Sequence, residues 1–227
     1  MAPHAIISYD DSLNDHDALM FGRVLGELGS RLTLAYVRHA RRDRPEHEQL
    51  AAGAADALLQ RGALWLQDAS VPRRIVISGS TGEGLAWLAE SEDADIVVFG
   101  AEYRAPNGHV SLGRSAQTLL ERGPVAVALA PAGYQAGHRE IATVGILPGS
   151  ADEAAIETAF SIAGRLGASV LDRAHGVDLL VVGSRPDAPI GCVSVSSRSY
   201  HAIEEATSPV LAVARGVALQ FETLVTA

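Results

Sequence analysis

The chain has 227 residues, 48% of them apolar, which is enough for a sizeable core in one large domain or two small ones. Its net charge of −9 argues against a nucleic-acid-binding face. All 18 basic residues are arginine, so a Walker A lysine, a Schiff-base lysine and an ammonium general base are excluded.

His4 to Tyr9 reads as a short strand ending at Asp10-Asp11-Ser12. Asn14 or Asp15 can cap a helix that runs to about Leu28, with Gly29 as its stop. Arg31 to Val37 is a second strand, and Arg38 to Arg44 a basic loop. Glu46 to Asp68 is a long helix with Leu50, Leu58, Leu59 and Trp65 at helical spacing. Arg74 to Ser78 is a strand, Gly82 to Ser91 a helix, and Ala94 to Phe99 a strand whose apolar run suits a buried parallel sheet. A loop with Gly108 and Gly113 leads to a helix over Ser115–Arg122 and a strand over Val125–Ala130. Strands alternating with helices imply an α/β fold with a doubly wound parallel sheet.

Tyr134 to Arg139 reads as a linker, after which the pattern restarts. At an offset of 83, Gly100 pairs with Gly183, Gly108 with Gly191, and Val110-Ser111 with Val193-Ser194. Near the start of each half the offset is 138, pairing Ser12 with Ser150 and Leu28-Gly29 with Leu166-Gly167. The difference of 55 residues means that the second half has lost a long helix, a strand and a further helix. The expected organisation is a complete unit over 1–134 and a truncated unit over 140–227. The second unit retains a strand at Ile141–Leu147, a helix from Asp152 and a short strand near Ser169. A strand at Asp178–Val182, a helix near Arg198–Glu205 and a strand at Val210–Ala214 complete it, while the apolar tail from Val217 has no assigned place.

Ligands of open α/β sheets bind beyond the carboxyl ends of the strands, where strand order reverses. Asp10 and Gly100 mark two such ends. Gly113 and Ser115 open a helix whose N–H groups and dipole can hold phosphate, with Arg104 or Arg114 supplying charge. The same residues also suit plain turns and a helix cap. The cluster Asp10, Asp11, Asp15, His16 and Asp17 reads either as a magnesium site shared with phosphate or as capping of a helix N-terminus. No G-x-S-x-G elbow, Ser/acid/His set or zinc spacing occurs. The single cysteine, Cys192, forms no intramolecular disulfide and fits a packing role in a reducing compartment. The N-terminus lacks a basic, apolar signal and no run approaches a membrane span, so a cytoplasmic protein is expected.

These residues resemble the universal stress protein family. In its nucleotide-binding members the fourth strand leads into a glycine, two residues, a second glycine, nine residues, then a glycine followed by serine or threonine. Gly100 and Gly113 stand at the first and third glycines; Tyr103 replaces the second, and Arg114 stands in place of the hydroxyl residue, with Ser115 next. Asp10 and Ser12 after the first strand, and G-P-V-A-V-A-L-A-P after the motif, also resemble the family. The resemblance implies five parallel strands in the order 3-2-1-4-5, with ATP at the ends of strands one and four. It implies adenine recognition by backbone at Val37. No general base or nucleophile constellation is visible, so no enzyme is expected beyond slow ATP hydrolysis by positioned water with magnesium, and a homodimer is expected. In the second half Pro148 aligns with Asp10, Pro186 with Tyr103 and Ser196-Ser197 with Gly113-Arg114, which argues against a nucleotide there and for a role in packing, dimerisation or regulation. The alternative is an interaction protein of the same fold without nucleotide.

Overall fold

A computed structural model describes residues 2–39, 45–137, 140–149 and 152–221, with side chains omitted at 45–51. The loop over 40–44, the side chain of Leu50, the pairing partner Ser150, the end of the linker at 138–139 and the tail over 222–227 lie outside the described residues. The first unit contains β1 (His4–Ser8), α1 (Asp15–Glu27), β2 (Arg31–His39), α2 (Pro45–Trp65), β3 (Arg73–Ser78), α3 (Thr81–Ser91), β4 (Ile96–Phe99), α4 (Arg114–Arg122) and β5 (Ala126–Leu129). After a short helix α5 (Tyr134–Gly137) come β6 (Thr143–Ile146), α6 (Glu153–Leu166), β7 (Ser169–Leu171), β8 (Leu179–Val182), α7 (Ser197–Glu204) and β9 (Val210–Ala212).

Among the described residues the strands form one sheet in the order β3-β2-β1-β4-β5-β9-β8-β6-β7. The first five strands take the expected order 3-2-1-4-5, all parallel. Among the described residues the second unit repeats the arrangement without counterparts of α2, β3 and α3. The units join through β5 and β9, which pair antiparallel as Val127↔Ala212, Ala128↔Leu211 and Leu129↔Val210. Adding 83 to the β5 numbers interchanges the two outer pairs and leaves the central pair on itself. The joint is therefore an internal two-fold, self-complementary in the sense of an isologous interface. The loops obey the same symmetry: Val193 N donates to Gly123 O at 2.8 Å and Val110 N to Ala206 O at 3.0 Å. Buried apolar clusters on both faces of the sheet run through both units.

Side-chain latches hold the strands in register. Asp95 accepts from His4 N at 2.7 Å, and its repeat counterpart Asp178 accepts from Thr143 N at 2.9 Å and Thr143 Oγ1 at 2.7 Å. Gly108 and Gly191 both have positive φ, +83° and +82°, a conformation that disfavours a side chain.

Several expectations change. The linker at Tyr134 is a helical turn, because Asp17 accepts from Gly133 N and Gln135 N at 2.8 Å each and Tyr134 packs edge-on to Phe21. The second strand continues past Val37 to His39, since β3 pairs with it as far as Ser78. The start of the repeat slips by one residue. Ala5 pairs with Ile96 and Val144 with Leu179, so the counterpart of Ala5 is Val144, an offset of 139. Gly149, not Pro148, therefore stands in the place of Asp10. A strand cannot slip by one without exchanging its buried and exposed faces, so packing decides this register. The offset of 138 resumes at the helix caps Asn14 and Asp152. The tail from Val217 reaches back to α6, where Thr158 Oγ1 accepts from Leu219 N and Ser161 Oγ from Phe221 N. Trp65 packs near His16, whereas Trp87 is exposed on α3.

Candidate functional site

β1 and β4 are neighbours, so Asp10 and Gly100 leave adjacent strand ends and open one crevice. A Cβ on Gly100 would collide with the backbone carbonyl oxygen of Asn14. The buried Asn14 amide bridges the two loops, donating to Ala101 O at 3.2 Å and Glu102 O at 2.9 Å. Asn14 occupies the N-cap position of α1 but spends its side chain on this bridge rather than on a cap. Gly100 is thus demanded by the fold, to let the loops touch.

Gly113 is different. It is the N-cap residue of α4 with an ordinary φ of −70° and no side-chain cap, and a Cβ there would meet only Glu102 Cγ at 4.0 Å. Neither conformation nor crowding requires glycine at this point, and the first N–H groups of α4 have no capping side chain. In the second unit the equivalent residue, Ser196, accepts from Ser199 N at 3.1 Å and so caps α7 with its own hydroxyl. Ser115 lies half-buried in the first turn of α4; Arg114 is exposed beside it. Arg104 is exposed and lies 5.0 Å from the ring centroid of Tyr103, itself 58% exposed.

Val37 lies near the end of β2, which pairs with β1. Leu34 N donates toward the β3 side, to Pro72 O, while Tyr9 N donates from the β1 side to Ala35 O. Backbone groups of alternate residues face alternate neighbours, so Val37 turns its N–H and C=O toward β1. It does so one rung beyond Tyr9, where the chain has already left the sheet at Asp10. Its side chain is buried beneath α3.

The acidic loop divides into structural and available groups. Asp11 is held by Arg61, at 3.1 and 2.7 Å, and by the Tyr9 hydroxyl at 2.7 Å. The Tyr9 hydrogen bond and then Arg61 hold the Asp11 carboxyl below its usual range, while burial pushes the Tyr9 phenol up. Asp17 is committed to α5. Asp10 accepts from Ser12 N at 3.0 Å, and Asp15 accepts from Asp10 N at 2.5 Å and Ser12 N at 3.2 Å. Burial, then the neighbouring Asp10, push the Asp15 carboxyl up to about 7. The pair Asp10–Asp15 favours a cation, although among the described residues no group of three metal-ligating side chains comes together. His109 is exposed in the glycine loop.

The structure places Asp10, Ser12 and Gly100 at the adjacent ends of β1 and β4, Val37 near the end of neighbouring β2, and Gly113 and Ser115 at the start of α4, with Arg104 and Arg114 exposed. Sequence reasoning gave Asn14 only as a helix cap, and it missed the latches Asp95 and Asp178. Their recurrence at the repeat offsets, as Asn14/Asp152 and Asp95/Asp178, is the signal that marks them.

Among the described residues no helix is long and apolar enough to cross a membrane. No curated protein matches the chain. Solved structures match its fold over nearly the whole length. A universal stress protein from Archaeoglobus fulgidus DSM 4304 is 13% identical with a TM-score of 0.73, covering 95% of this chain and 100% of its own. A functionally unknown protein from Pseudomonas aeruginosa PAO1 is 12% identical with a TM-score of 0.61, covering 95% and 93%. A putative universal stress protein from Pseudomonas aeruginosa UCBPP-PA14 is 12% identical with a TM-score of 0.59, covering 94% and 93%. The model of the universal stress protein family matches residues 1–131, and with that match over more than half of its length the chain belongs to the universal stress protein family.

Proposed function

We propose that the first unit binds an adenine nucleotide, ATP with Mg2+, and serves a stress-response or regulatory role in the cytoplasm. The observation that carries this reading is Gly113, a glycine the fold does not require, at an uncapped helix start. Phosphate is the ligand such a start suits, and a side chain there would stand in its way. Ser115 and the exposed Arg104 and Arg114 would meet phosphate oxygens, Val37 would offer its N–H and C=O to the base, and Gly100 lets the loop after β4 pack against the start of α1 beside the site. Asp10 faces the ribose or, with Asp15, the metal; their negative charge makes Mg2+ the natural companion of the polyphosphate. No side chain in the crevice is set as a nucleophile with its base, so any hydrolysis rests on positioned water.

Calorimetric titration of the full chain with ATP and magnesium tests the reading. Gly113→Val is expected to weaken binding by about tenfold or more, and absence of binding at millimolar nucleotide overturns it. The second reading, an interaction protein without nucleotide, is favoured by Tyr103 in place of the second glycine. A homodimer has to use another surface than the β5 edge, which β9 already covers.

A further inference from the structure

The first turns of α4 and α7 are repeat counterparts, but they carry different side chains. In the first unit α3 lies on α4: a Cβ on Gly82 would sit 3.2 Å from Thr118 Cβ and 3.3 Å from Ser115 O. At the 83-residue offset the counterparts of Ser115 and Thr118 are Arg198 and His201. Among the described residues the second unit has no counterpart of α3 to cover them. In its place runs the short connection from β7 to β8. It crosses β6 so closely that a Cβ on Gly145 would lie 2.5 Å from Arg173 O and 2.9 Å from Val177.

Between this connection and α7 remains an open cavity of about 730 Å³. Arg173, His175, Arg198 and His201 line it, with Glu205 as its single carboxylate among the described residues and Leu147 in its floor. The Arg198 guanidinium stands over Gly149, where a Cβ would meet Nη1 at 3.2 Å. That is the place Asp10 holds in the first unit, so a guanidinium replaces a carboxylate. Arg173 Nη2 donates to Gly176 O at 3.0 Å, and among the described residues neither arginine has a carboxylate partner. A solvated helix face accounts for one arginine. It does not account for two guanidinium and two imidazole groups converging on one cavity in a chain of net charge −9.

We propose that this second cavity binds a small molecule bearing a terminal phosphate or diphosphate. The mode of recognition differs from that of the first crevice. Ser196 has capped the helix start, so the anion is held by side chains: guanidinium forks that match phosphate oxygens, supplemented by imidazole N–H donors. The apolar floor takes the body of the ligand, and the volume lies within the range of small-molecule sites. This proposal is independent of nucleotide binding in the first unit.

The test is an NMR titration of the full chain with inorganic pyrophosphate and with phenyl phosphate. EDTA is included to silence metal-dependent binding at the first crevice. The ring signals of His175 and His201 are expected to shift while those of His16 and His39 stay in place. Arg198→Gln and Arg173→Gln, both at exposed positions, are each expected to weaken the titration by about tenfold or more, the effect of losing a charge-assisted hydrogen bond. The exposed Arg23→Gln is expected to leave it unchanged. No shift of His175 and His201 at millimolar probe, or a titration that Arg198→Gln leaves intact, overturns the proposal.

Discussion

Gly100 and Gly113 share a motif but not a reason for being glycine. At Gly100 a side chain would strike the backbone of Asn14, which lies in a loop tied down by its own amide. Gly100→Ala is therefore expected to destabilise the fold by about 2–4 kcal/mol, since rigid backbone has to move. Gly113→Ala is expected to cost no more than about 1 kcal/mol, the ordinary preference for glycine over alanine at an N-cap, because open space receives the methyl group. Urea unfolding of the two variants separates them, and a large loss at Gly113 would return that residue to a purely structural role. Asp15 adds a pH signature. Its carboxyl titrates near 7 in the folded chain against 3.8 as the ordinary value. The folded state thus binds the extra proton, and this group makes stability fall as pH rises from about 4 to about 7. Asp15→Asn is expected to flatten that fall, leaving the variant the more stable at neutral pH and close to the parent near pH 4. Magnesium is expected to narrow the neutral-pH gap by compensating the Asp10–Asp15 pair.

At the scale of elements, the short parallel strands are held by latches as much as by their ladders. Asp178 alone accepts from Ala142 N, Thr143 N and Thr143 Oγ1, fixing the start of β6 against β8. Asp178→Ala is expected to cost about 2 kcal/mol by leaving partly buried donors unpaired, and thermal or urea unfolding reads it directly. The helix starts show how one architectural position changes use. The α1 start gives its Asn14 amide wholly to a neighbouring loop, whereas Asp152 at the α6 start does both jobs, accepting from Ala154 N at 3.2 Å as a cap and from Ser184 N of the equivalent loop at 3.3 Å. α4 starts at bare Gly113, and α7 caps itself with Ser196. The same repeat therefore yields one open helix start and one closed one.

At the scale of the molecule, the internal two-fold at Ala128 and Leu211 lets one chain do what a symmetric pair of units does. The β5 edge is buried, leaving β3 and β7 as the outer strands. A fragment of residues 1–137 lacks β9 and exposes an apolar, unpaired β5. It is expected to self-associate as a dimer through β5, in the Ala128-centred register, while the intact chain keeps that edge closed. Sedimentation of fragment and full chain checks this, and a monomeric fragment would show that the joint depends on residues particular to the second unit.

The sequence by itself determined the α/β class, the order of elements, the repeat with its missing block, and the glycine frame of the first crevice. Each of these rests on local periodicity or on comparison of one half with the other. Only the tertiary structure decided why Gly100 is glycine, that Val37 turns its backbone toward the β1 side, and that Gly149 rather than Pro148 replaces Asp10. It also decided that the units meet through antiparallel β5 and β9, and that the lost helix leaves a cationic cavity. Those outcomes depend on contacts between residues far apart in the chain, such as Asn14 with Gly100 and Arg173 with Gly145. Sterics and register settle such contacts after the sheet has formed, and no periodicity along the chain records them.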